Sequence, residues 1–200
     1  MQKRHRLQSY KLMRIISGNF KGKKILKPKD LITRPLKDLT KESIFNIINH
    51  SNKFSIDIQK STVLDLFSGV GSFGIECLSR GAKYVTFVDN YSDVTEVLKK
   101  NLSSLSNINN YEILQKDIIQ DLQFINFKKK FDIIFLDPPY KLKELSKILK
   151  NIYEQKCLKS DGILIIHRHK KEVDLHPKKF KIIEEKKYGI SKIIFGLFID

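Results

Sequence analysis

A glycine-rich segment, Asp65-Leu66-Phe67-Ser68-Gly69-Val70-Gly71-Ser72-Phe73-Gly74, is the first part of the chain whose residue types suggest chemistry. Glycines at this spacing after a strand permit a tight turn, let a ligand approach the backbone, and open a helix whose N-terminus favours negative charge. Asp89 follows Gly69 by 20 residues and would end the next strand, where a carboxylate can accept both hydroxyl hydrogens of a ribose. The segment therefore predicts a site for a ribose-containing cofactor, either NAD or S-adenosylmethionine.

The position of Asp65 distinguishes between these two cofactors. Its carboxylate would repel the pyrophosphate of NAD, whereas it suits the amino-acid tail of S-adenosylmethionine. Asp117, just after the third predicted strand, could accept a hydrogen bond from an adenine amino group. The alternative for Asp117 is the N-cap of a helix that starts at Ile118, and the two roles are compatible. We therefore predict that S-adenosyl-L-methionine is the cofactor and that it is bound by Asp65, Phe67, Gly69, Gly71, Gly74, Asp89, Asp117 and Ile118.

The tetrapeptide Asp137-Pro138-Pro139-Tyr140 directly follows the apolar run Phe131–Leu136. Two prolines fix the backbone, remove two N–H donors and leave carbonyls free at the carboxyl end of a strand, where open α/β sheets bind ligands. A carboxylate beside a rigid carbonyl is a paired acceptor for an –NH2 group, and a tyrosine ring can stack on a planar base. Asp-Pro also occurs in ordinary turns, so the tetrapeptide gains its weight from the glycine segment upstream. We predict that the catalytic residues are Asp137, Pro138, Pro139 and Tyr140.

Metal ligands and disulfide bonds are not expected. Cys77 and Cys157 are far apart, and the five histidines show no spacing that we interpret as a metal site. His167 and His169, at the end of the fifth predicted strand, are interpreted as surface residues.

Alternating strands and helices must position these residues. Five apolar runs are separated by helical patterns, which is typical of βαβ units and a parallel sheet: Thr62–Phe67, Tyr84–Val88, Tyr111–Leu114, Phe131–Leu136 and Gly162–Ile166. Asp161-Gly162 is predicted to form a turn before the fifth strand. Two further β-prone runs, Phe180–Lys187 and Lys192–Ile199, flank residues 188–191 and predict a hairpin. The predicted fold class is α/β, with a doubly wound, mostly parallel seven-stranded sheet that contains one antiparallel strand.

Ahead of the sheet, the sequence predicts a small basic region. Arg14–Ser17 and Lys23–Leu26 are predicted as short strands around a turn, and Asp38–Asn49 as an amphipathic helix with Ile44, Phe45, Ile47 and Ile48 inward. The predicted organisation is a disordered extension over residues 1–12, a basic hairpin and helix over residues 13–60, and a cofactor-binding domain over residues 61–200.

Composition and charge limit the class of protein. The 200 residues are 41% hydrophobic and 30% charged, which is typical of a globular domain. No apolar run approaches the roughly 20 residues of a membrane span, and no signal peptide is visible, so we expect a cytoplasmic protein. The net charge of +16 favours a polyanionic partner, most often nucleic acid.

The positive charge is concentrated at the N-terminus. Residues 1–37 contain 12 Lys or Arg and one acidic residue, whereas residues 62–140 contain eight basic and ten acidic residues. A run of charge is often only a solvated face, but this segregation favours an RNA-binding extension. The candidate RNA-binding residues are Arg14, Lys21, Lys23, Lys24 and Arg34.

Together these residues resemble methyltransferases that act on amino groups, whose hallmark is an Asp/Asn-Pro-Pro-Tyr motif. From about Met13 onward the chain resembles, more closely, the RsmD family of bacterial 16S rRNA (guanine-N2)-methyltransferases. The match rests on the opening segment Met13–Gly18 with Lys21–Ile25, on Thr33-Arg34-Pro35 with Asp38, Lys41-Glu42 and Phe45-Asn46, and on Asp65–Gly69 with Asp137–Tyr140. Leu39 and His167 depart from the family pattern, which often has Arg and Glu there.

The resemblance implies a Rossmann-like class I methyltransferase domain over residues 61–200 and methylation of a guanine exocyclic amine in 16S rRNA, by convention guanine-966. Its partner would be 16S rRNA, either naked or in an assembled small-subunit particle, and we expect a monomer. The residues alone imply only the amino group of a stacked base, so other functions are kept as alternatives. One is a DNA adenine-N6 methyltransferase, although the chain leaves little room for a target-recognition segment. Another is a protein glutamine-N5 methyltransferase, although its substrate gives no reason for the basic extension. The others are a catalytically inactive RNA-binding module and, least supported, a dehydrogenase.

Overall fold

The structure, a computed structural model, describes residues 13–27, 36–122, 125, 127 and 129–199, which form seven strands and five α-helices. The strands are β1 (Thr62–Leu66), β2 (Tyr84–Asp89), β3 (Tyr111–Gln115), β4 (Phe131–Leu136), β5 (Leu158–His169), β6 (Phe180–Tyr188) and β7 (Ser191–Phe198). The helices are α1 (Asp38–His50), α2 (Ser72–Ser79), α3 (Ser92–Ser103), α4 (Ile118–Asp121) and α5 (Leu145–Glu154), and a 3₁₀ turn (Ile58–Lys60) precedes β1. None of the helices in the described ranges combines the length and the apolar character that a membrane span requires.

The seven strands form one sheet in the order β3-β2-β1-β4-β5-β7-β6. The first five pair in parallel, and β7 is antiparallel to both of its neighbours, β5 and β6. The predicted topology is therefore confirmed, and the first four strands end within one residue of their predicted ends. Because the order reverses between β1 and β4, the carboxyl ends of these strands form a topological switch point, which is where open sheets bind ligands.

Apolar side chains cover both faces of the sheet. Adjacent residues such as Ile133 and Ile134 belong to two different buried clusters, as the alternation of a strand requires. One cluster holds the stacked rings of Phe45, Phe73 and Phe135, with centroids 5.3 and 4.1 Å apart, and the other contains the buried side of α5. The parallel strands are therefore apolar runs without polar alternation, because helices pack on each side.

β5 differs from the prediction at its beginning. The strand begins at Leu158, opposite Phe131, and continues through Gly162, where a turn was predicted. Regular pairing with β4 resumes with Ile163 opposite Ile133. The extra residues form an irregularity in the strand. A Cβ on Gly162 would lie 3.0 Å from the Phe131 carbonyl oxygen, so glycine here permits a close backbone approach instead of a turn.

Residues 13–27 form a hairpin, called the N-terminal hairpin below, without regular strands. One antiparallel bridge joins Arg14 and Lys24, and backbone hydrogen bonds connect Ile15 with Lys23 and Ile25 with Met13. The prediction of regular strands over residues 14–17 and 23–26 is therefore wrong. The hairpin is also part of the core, because Met13, Ile15 and Ile25 are buried in the same cluster as α1 and α2.

Glu76 of α2 explains this departure from strand structure. Its carboxylate accepts the N–H groups of Ile16 at 2.8 Å and Ser17 at 2.9 Å, which a neighbouring strand would otherwise bind. The carboxylate is fully buried and has two cationic partners, Lys41 Nζ at 3.4 Å and Arg80 Nε at 2.9 Å. Burial lowers the pKa of Lys41, and Glu76 opposes that shift. A buried ion cluster therefore attaches the hairpin to α1 and α2.

Candidate active site

A pocket of about 420 Å³ opens at the carboxyl ends of the parallel strands. It is formed by the segments that follow β1, β2 and β4, by the end of β5, and by one residue that precedes α1. The lining residues are Leu36, Asp65, Phe67, Ser68, Gly69, Val70, Ser72, Phe73, Asp89, Asn90, Tyr91, Phe135, Asp137, Pro138, Pro139, Tyr140 and His167. The two predicted motifs, 70 residues apart, are thus brought to one cavity.

The glycine segment, Asp65–Gly74, turns the chain from β1 into α2 along one wall of the pocket. Gly69 and Gly71 have φ values of +53° and +84°, in the left-handed region that glycine adopts readily, and Gly71 is the N-cap of α2. The Gly69 N–H donates to Asp89 at 2.8 Å, and the Gly74 N–H donates to Asp65 at 2.9 Å. The two carboxylates therefore hold the loop in shape from inside the pocket.

Two further residues of the glycine segment have steric roles. A Cβ on Gly74 would lie 2.3 Å from the ring of Phe87, so the absence of a side chain lets α2 pack closely on β2. Phe67 lines the pocket with φ at +59°, which is unusual for a residue with a side chain. Such outliers persist where the surroundings enforce them and are common at functional sites.

The pocket is acidic within a strongly basic protein. Asp65, Asp89 and Asp137 line it, and no Lys or Arg occurs among the described residues that do so. Burial raises the pKa of Asp65 well above its usual range, the Gly74 N–H opposes the shift, and Asp137 and Asp89 add to it. Burial also raises the pKa of Asp89, against the hydrogen bonds from Tyr91 and Gly69. A cationic ligand would stabilise these carboxylates in their ionised form.

Two hydroxyl groups in the pocket are available to a ligand. The Oγ atoms of Ser68 and Ser72 are buried and have no hydrogen-bond partner within the described part of the chain. Both residues line the pocket, and Ser72 is the first residue of α2. Because buried polar groups in native proteins are nearly always paired, these hydroxyls fit a polar ligand at the N-terminus of α2.

All four residues of the Asp-Pro-Pro-Tyr segment, residues 137–140, line the pocket. The Pro139 carbonyl is occupied, because it accepts the Leu142 N–H at 2.9 Å and Arg168 Nη1 at 3.0 Å. Pro138 is buried, and its carbonyl accepts no hydrogen bond from any residue that the structure describes. Asp137 and Pro138 therefore both line the pocket, and their role as an acceptor pair stays a prediction.

Arg168, which the sequence analysis did not identify, anchors this segment. Its side chain is 1% exposed and also donates to the Leu142 carbonyl at 2.8 Å. Asp174 balances its charge, with Arg168 Nη2 at 2.8 Å and Nε at 3.1 Å from Asp174 Oδ1. The residue was missed because a charged side chain in a basic sequence suggests solvent exposure, whereas this one lies beneath the segment.

His167 is buried, so its interpretation as a surface residue is wrong. It is 3% exposed, and its Nδ1 lies 2.7 Å from Asp137 Oδ1, with Nε2 2.9 Å from the Ser191 hydroxyl oxygen. The strand-end position suggested exposure, but β7 pairs with this part of β5 and supplies Ser191 as a partner of the ring. Tyr140, half-buried, stands edge-on to His167 and His169, with ring centroids 6.1 and 5.0 Å apart.

Asp117 and Ile118 lie beside the pocket and are not among its lining residues. Asp117 is the N-cap of α4, where its carboxylate accepts the N–H groups of Ile119 at 2.8 Å and Gln120 at 3.2 Å. Its other oxygen accepts from Asn90 Nδ2 at 3.1 Å, and Asn90 does line the pocket. The capping role is therefore present, and the adenine contact stays a prediction.

The predicted RNA-binding residues differ in their surroundings. Lys21 and Lys24 are exposed, and Arg14 is exposed with Nε 3.8 Å from Asp38. Lys23 is half-buried and donates to the Ser104 carbonyl, so it joins the hairpin to the end of α3. Arg34 lies outside the described residues. Within the described ranges, no cluster of His, Cys, Asp and Glu is arranged to hold a metal ion.

The N-terminal hairpin is connected to the glycine segment of the pocket through Asn101. This residue of α3 is 3% exposed, and its side chain accepts the Leu26 N–H at 2.8 Å. It also donates to the carbonyls of Leu26 at 3.2 Å and Val70 at 3.0 Å, and Val70 belongs to the glycine segment. The hairpin exit and the glycine segment are therefore fixed to the same side chain.

Comparison with known proteins identifies relatives over almost the whole chain. The sequence model of the family described as "Conserved hypothetical protein 95" matches residues 13–196. A candidate rRNA methyltransferase of Bacillus subtilis is 35% identical over 184 residues, which cover 90% of this chain and 96% of that protein. The ribosomal RNA small subunit methyltransferase D of Haemophilus influenzae is 31% identical over 179 residues, with 89% and 90% covered. The crystal structure of a candidate methylase of Haemophilus influenzae, 28% identical, gives a TM-score of 0.74 and covers 94% of this chain and 99% of that one.

Proposed function

The chain belongs to the conserved hypothetical protein 95 family, the RsmD family that its motifs resemble, and on this premise we propose that it methylates the exocyclic N2 amine of a guanine in 16S rRNA, at a position equivalent to guanine-966. The fold is that of a Rossmann-like class I methyltransferase. The observation that carries the proposal is that one pocket is lined both by the glycine segment with its Asp65 carboxylate and by Asp137 and Pro138.

S-adenosyl-L-methionine is the cofactor, and it supplies a methyl group activated on a sulfonium centre. The pocket fits this cofactor better than it fits NAD. Its three carboxylates would repel a pyrophosphate, and no Lys or Arg among the described lining residues would offset that repulsion. Asp65 would attract the amino group, and the hydroxyls of Ser68 and Ser72 would bind polar groups at the start of α2. Asp89 would accept the ribose hydroxyls while it keeps its hydrogen bond from Gly69.

Asp137 and Pro138 would prepare the target amine for attack. The lone pair of the guanine N2 is delocalised into the ring, so the amine is a poor nucleophile until its hydrogens are held. The free Asp137 oxygen and the Pro138 carbonyl would accept those two hydrogens, which directs the lone pair toward the methyl group. Positioning of this kind can supply a large part of the rate enhancement.

The substrate base must leave its stack to reach the pocket, as bases do in other enzymes that modify them. Tyr140 would receive the base on its ring, and the side chains of Arg14, Lys21, Lys24 and Arg34 would bind phosphates outside the pocket. Lys23 contributes to the same basic surface and also fixes the hairpin. We propose that the protein acts as a monomer on rRNA.

Mass spectrometry of rRNA nucleosides tests this function directly. Cells that lack the gene should lose N2-methylguanosine at one position of 16S rRNA, and wild-type protein should restore it whereas D137A should not. Purified protein given naked 16S rRNA or assembled small subunits then identifies the form of the substrate. Unchanged N2-methylguanosine contradicts the proposal, a loss of N6-methyladenine from DNA favours the DNA rival, and no binding of S-adenosyl-L-methionine at millimolar concentration favours an inactive RNA-binding module.

A further inference from the structure

His167 connects the acceptor residue of the pocket, Asp137, with Ser191, the first residue of β7. Its imidazole lies between the Asp137 carboxylate, 2.7 Å away, and the Ser191 hydroxyl, 2.9 Å away. Asp137 follows β4, His167 lies near the end of β5, and Ser191 begins β7, so three adjacent strands contribute one side chain each.

We propose that His167 is the positioning residue that sets the orientation of the Asp137 carboxylate toward the target amine. This inference rests on the proposed function of the pocket. His167 binds Oδ1 of Asp137, and within the described part of the chain Oδ2 has no hydrogen-bond partner. With Oδ1 held, rotation of the carboxylate is restricted, and Oδ2 is the oxygen that can accept a hydrogen from the base.

The hydrogen-bond chain assigns the tautomer of His167. An ionised carboxylate only accepts, so Nδ1 must carry a proton that it donates to Asp137. In the neutral imidazole Nε2 then accepts from the Ser191 hydroxyl, and the 3% exposure of the ring leaves little room for water to replace either partner. This arrangement resembles the general use of an outer partner to fix the orientation of a reacting side chain.

The next residue along β5 holds the same segment from the other face of the sheet. Adjacent strand residues point to opposite faces, and Arg168 donates to the Pro139 carbonyl at 3.0 Å while His167 binds the Asp137 side chain. The backbone of the segment is thus fixed by one residue and its carboxylate by the other. A change at His167 should therefore affect the carboxylate without releasing the backbone.

Two amide substitutions separate positioning from packing. In H167N the side-chain amide reaches about as far as Nδ1 and can still donate to Asp137, whereas in H167Q it reaches about as far as Nε2 and keeps only the Ser191 side. We expect the single-turnover rate of methyl transfer to 16S rRNA to be about 10²-fold lower in H167Q than in wild type. The rate in H167N should be at least about tenfold higher than the rate in H167Q. The Kd of S-adenosyl-L-methionine should change less than about threefold in both variants.

Controls keep the proposal distinguishable from its premise. If wild-type protein transfers no methyl group to rRNA, the proposed function fails. If wild type is active and D137A is inactive, but H167N and H167Q have equal rates while both melt as cooperatively as wild type, the positioning role is overturned. A readout independent of variant folding is the long-range ¹H–¹⁵N NMR spectrum of the wild-type protein. There the His167 ring must show a protonated Nδ1, and an unprotonated Nδ1 refutes the proposal.

Discussion

Asp137 lines the pocket with Oδ1 bound to His167, while Oδ2 has no hydrogen-bond partner among the described residues. We expect D137A to lower methyl transfer at least about 10²-fold, because the amine would lose the acceptor that positions it. Cofactor affinity should stay within a few-fold of wild type, since Asp65, Asp89 and the serine hydroxyls are unchanged. Radiolabelled methyl transfer to rRNA measures the first quantity and isothermal titration the second. Parallel loss of both in a folded variant would place Asp137 in cofactor binding.

Asp65 supports a prediction with a defined pH dependence. Burial raises its pKa well above the usual range, so its contribution to stability is fully present below the unfolded pKa, near 4, and is lost as pH rises through the folded pKa. D65N does not titrate and can still accept from Gly74. We therefore expect D65N to gain stability over wild type as pH rises above about 4, by about 1.4 kcal/mol per unit of separation between the two pKa values.

The same substitution should weaken the binding of S-adenosyl-L-methionine, because the amide no longer attracts an ammonium group. Melting temperatures of wild type and D65N at pH 5 and pH 8, with isothermal titration at pH 8, measure both effects. The exposed Asp161, changed to Asn, is the matched control. A difference in melting temperature between wild type and D65N that does not widen from pH 5 to pH 8 would contradict the assigned shift.

The sequence predicts those site residues whose chemistry lies in a local motif. The glycine segment, Asp89 and the Asp-Pro-Pro-Tyr segment have spacings that carry meaning without knowledge of the fold, and the structure brings them to one pocket. His167, Arg168 and the cluster around Glu76 were not predicted. A buried charged side chain is recognisable only from its partners, and the partners of Arg168, for example, come from two separate segments, the turn that contains Pro139 and Leu142 and the loop that contains Asp174.

At the scale of elements, the sequence predicts the parallel strands because each is a short apolar run with clear ends. The runs are apolar throughout because both faces of the sheet are covered. The errors occurred where side chains or irregular pairing replace regular strand contacts. Gly162 suggested a turn, whereas in the structure it permits a bulge in β5. The N-terminal hairpin suggested regular strands, whereas two of its backbone N–H groups donate to the Glu76 carboxylate. Neither effect leaves a periodic signal.

Glu76 gives the prediction that belongs to this scale. In E76A, the fully buried Lys41 would lose its counter-ion and two backbone N–H groups of the hairpin would lose their acceptor. Breaking a buried ion pair from one side costs about 3–5 kcal/mol, so we expect a decrease of that order in the free energy of unfolding. Urea denaturation measures it, and hydrogen exchange should show loss of protection at Ile16 and Ser17 first.

Glu96 on α3 is the matched control for Glu76. It forms an ion pair with Lys99 at 2.7 Å, but both side chains are more than half exposed, and E96A should leave the unfolding free energy nearly unchanged. If E76A and E96A unfold at the same urea concentration, the cluster does not attach the hairpin to the domain. A loss of stability without a change in hairpin protection would assign the effect to α1 and α2 alone.

For the whole molecule, charge is divided between surface and pocket. The chain carries a net charge of +16, yet the pocket is lined by three carboxylates. A basic exterior attracts a polyanion over long distances, whereas the acidic interior selects a cationic cofactor. The hairpin contributes to both, because its exposed lysines face solvent while its exit is fixed to the glycine segment through Asn101.

This division leads to a prediction about RNA binding by the exposed lysines of the hairpin. Substituting Lys21 and Lys24 with Ala should weaken rRNA binding and reduce the slope of log K against log salt by roughly 0.7–0.9 for each lost phosphate contact. Lys23 is left intact because its bond to Ser104 supports the fold. Substituting Lys147 and Lys150 on α5, which packs on the other face of the sheet, removes the same charge and should leave the slope unchanged. Filter binding at several salt concentrations gives both slopes, and equal slopes for the two double variants would mean that the hairpin lysines face solvent and that RNA binds elsewhere.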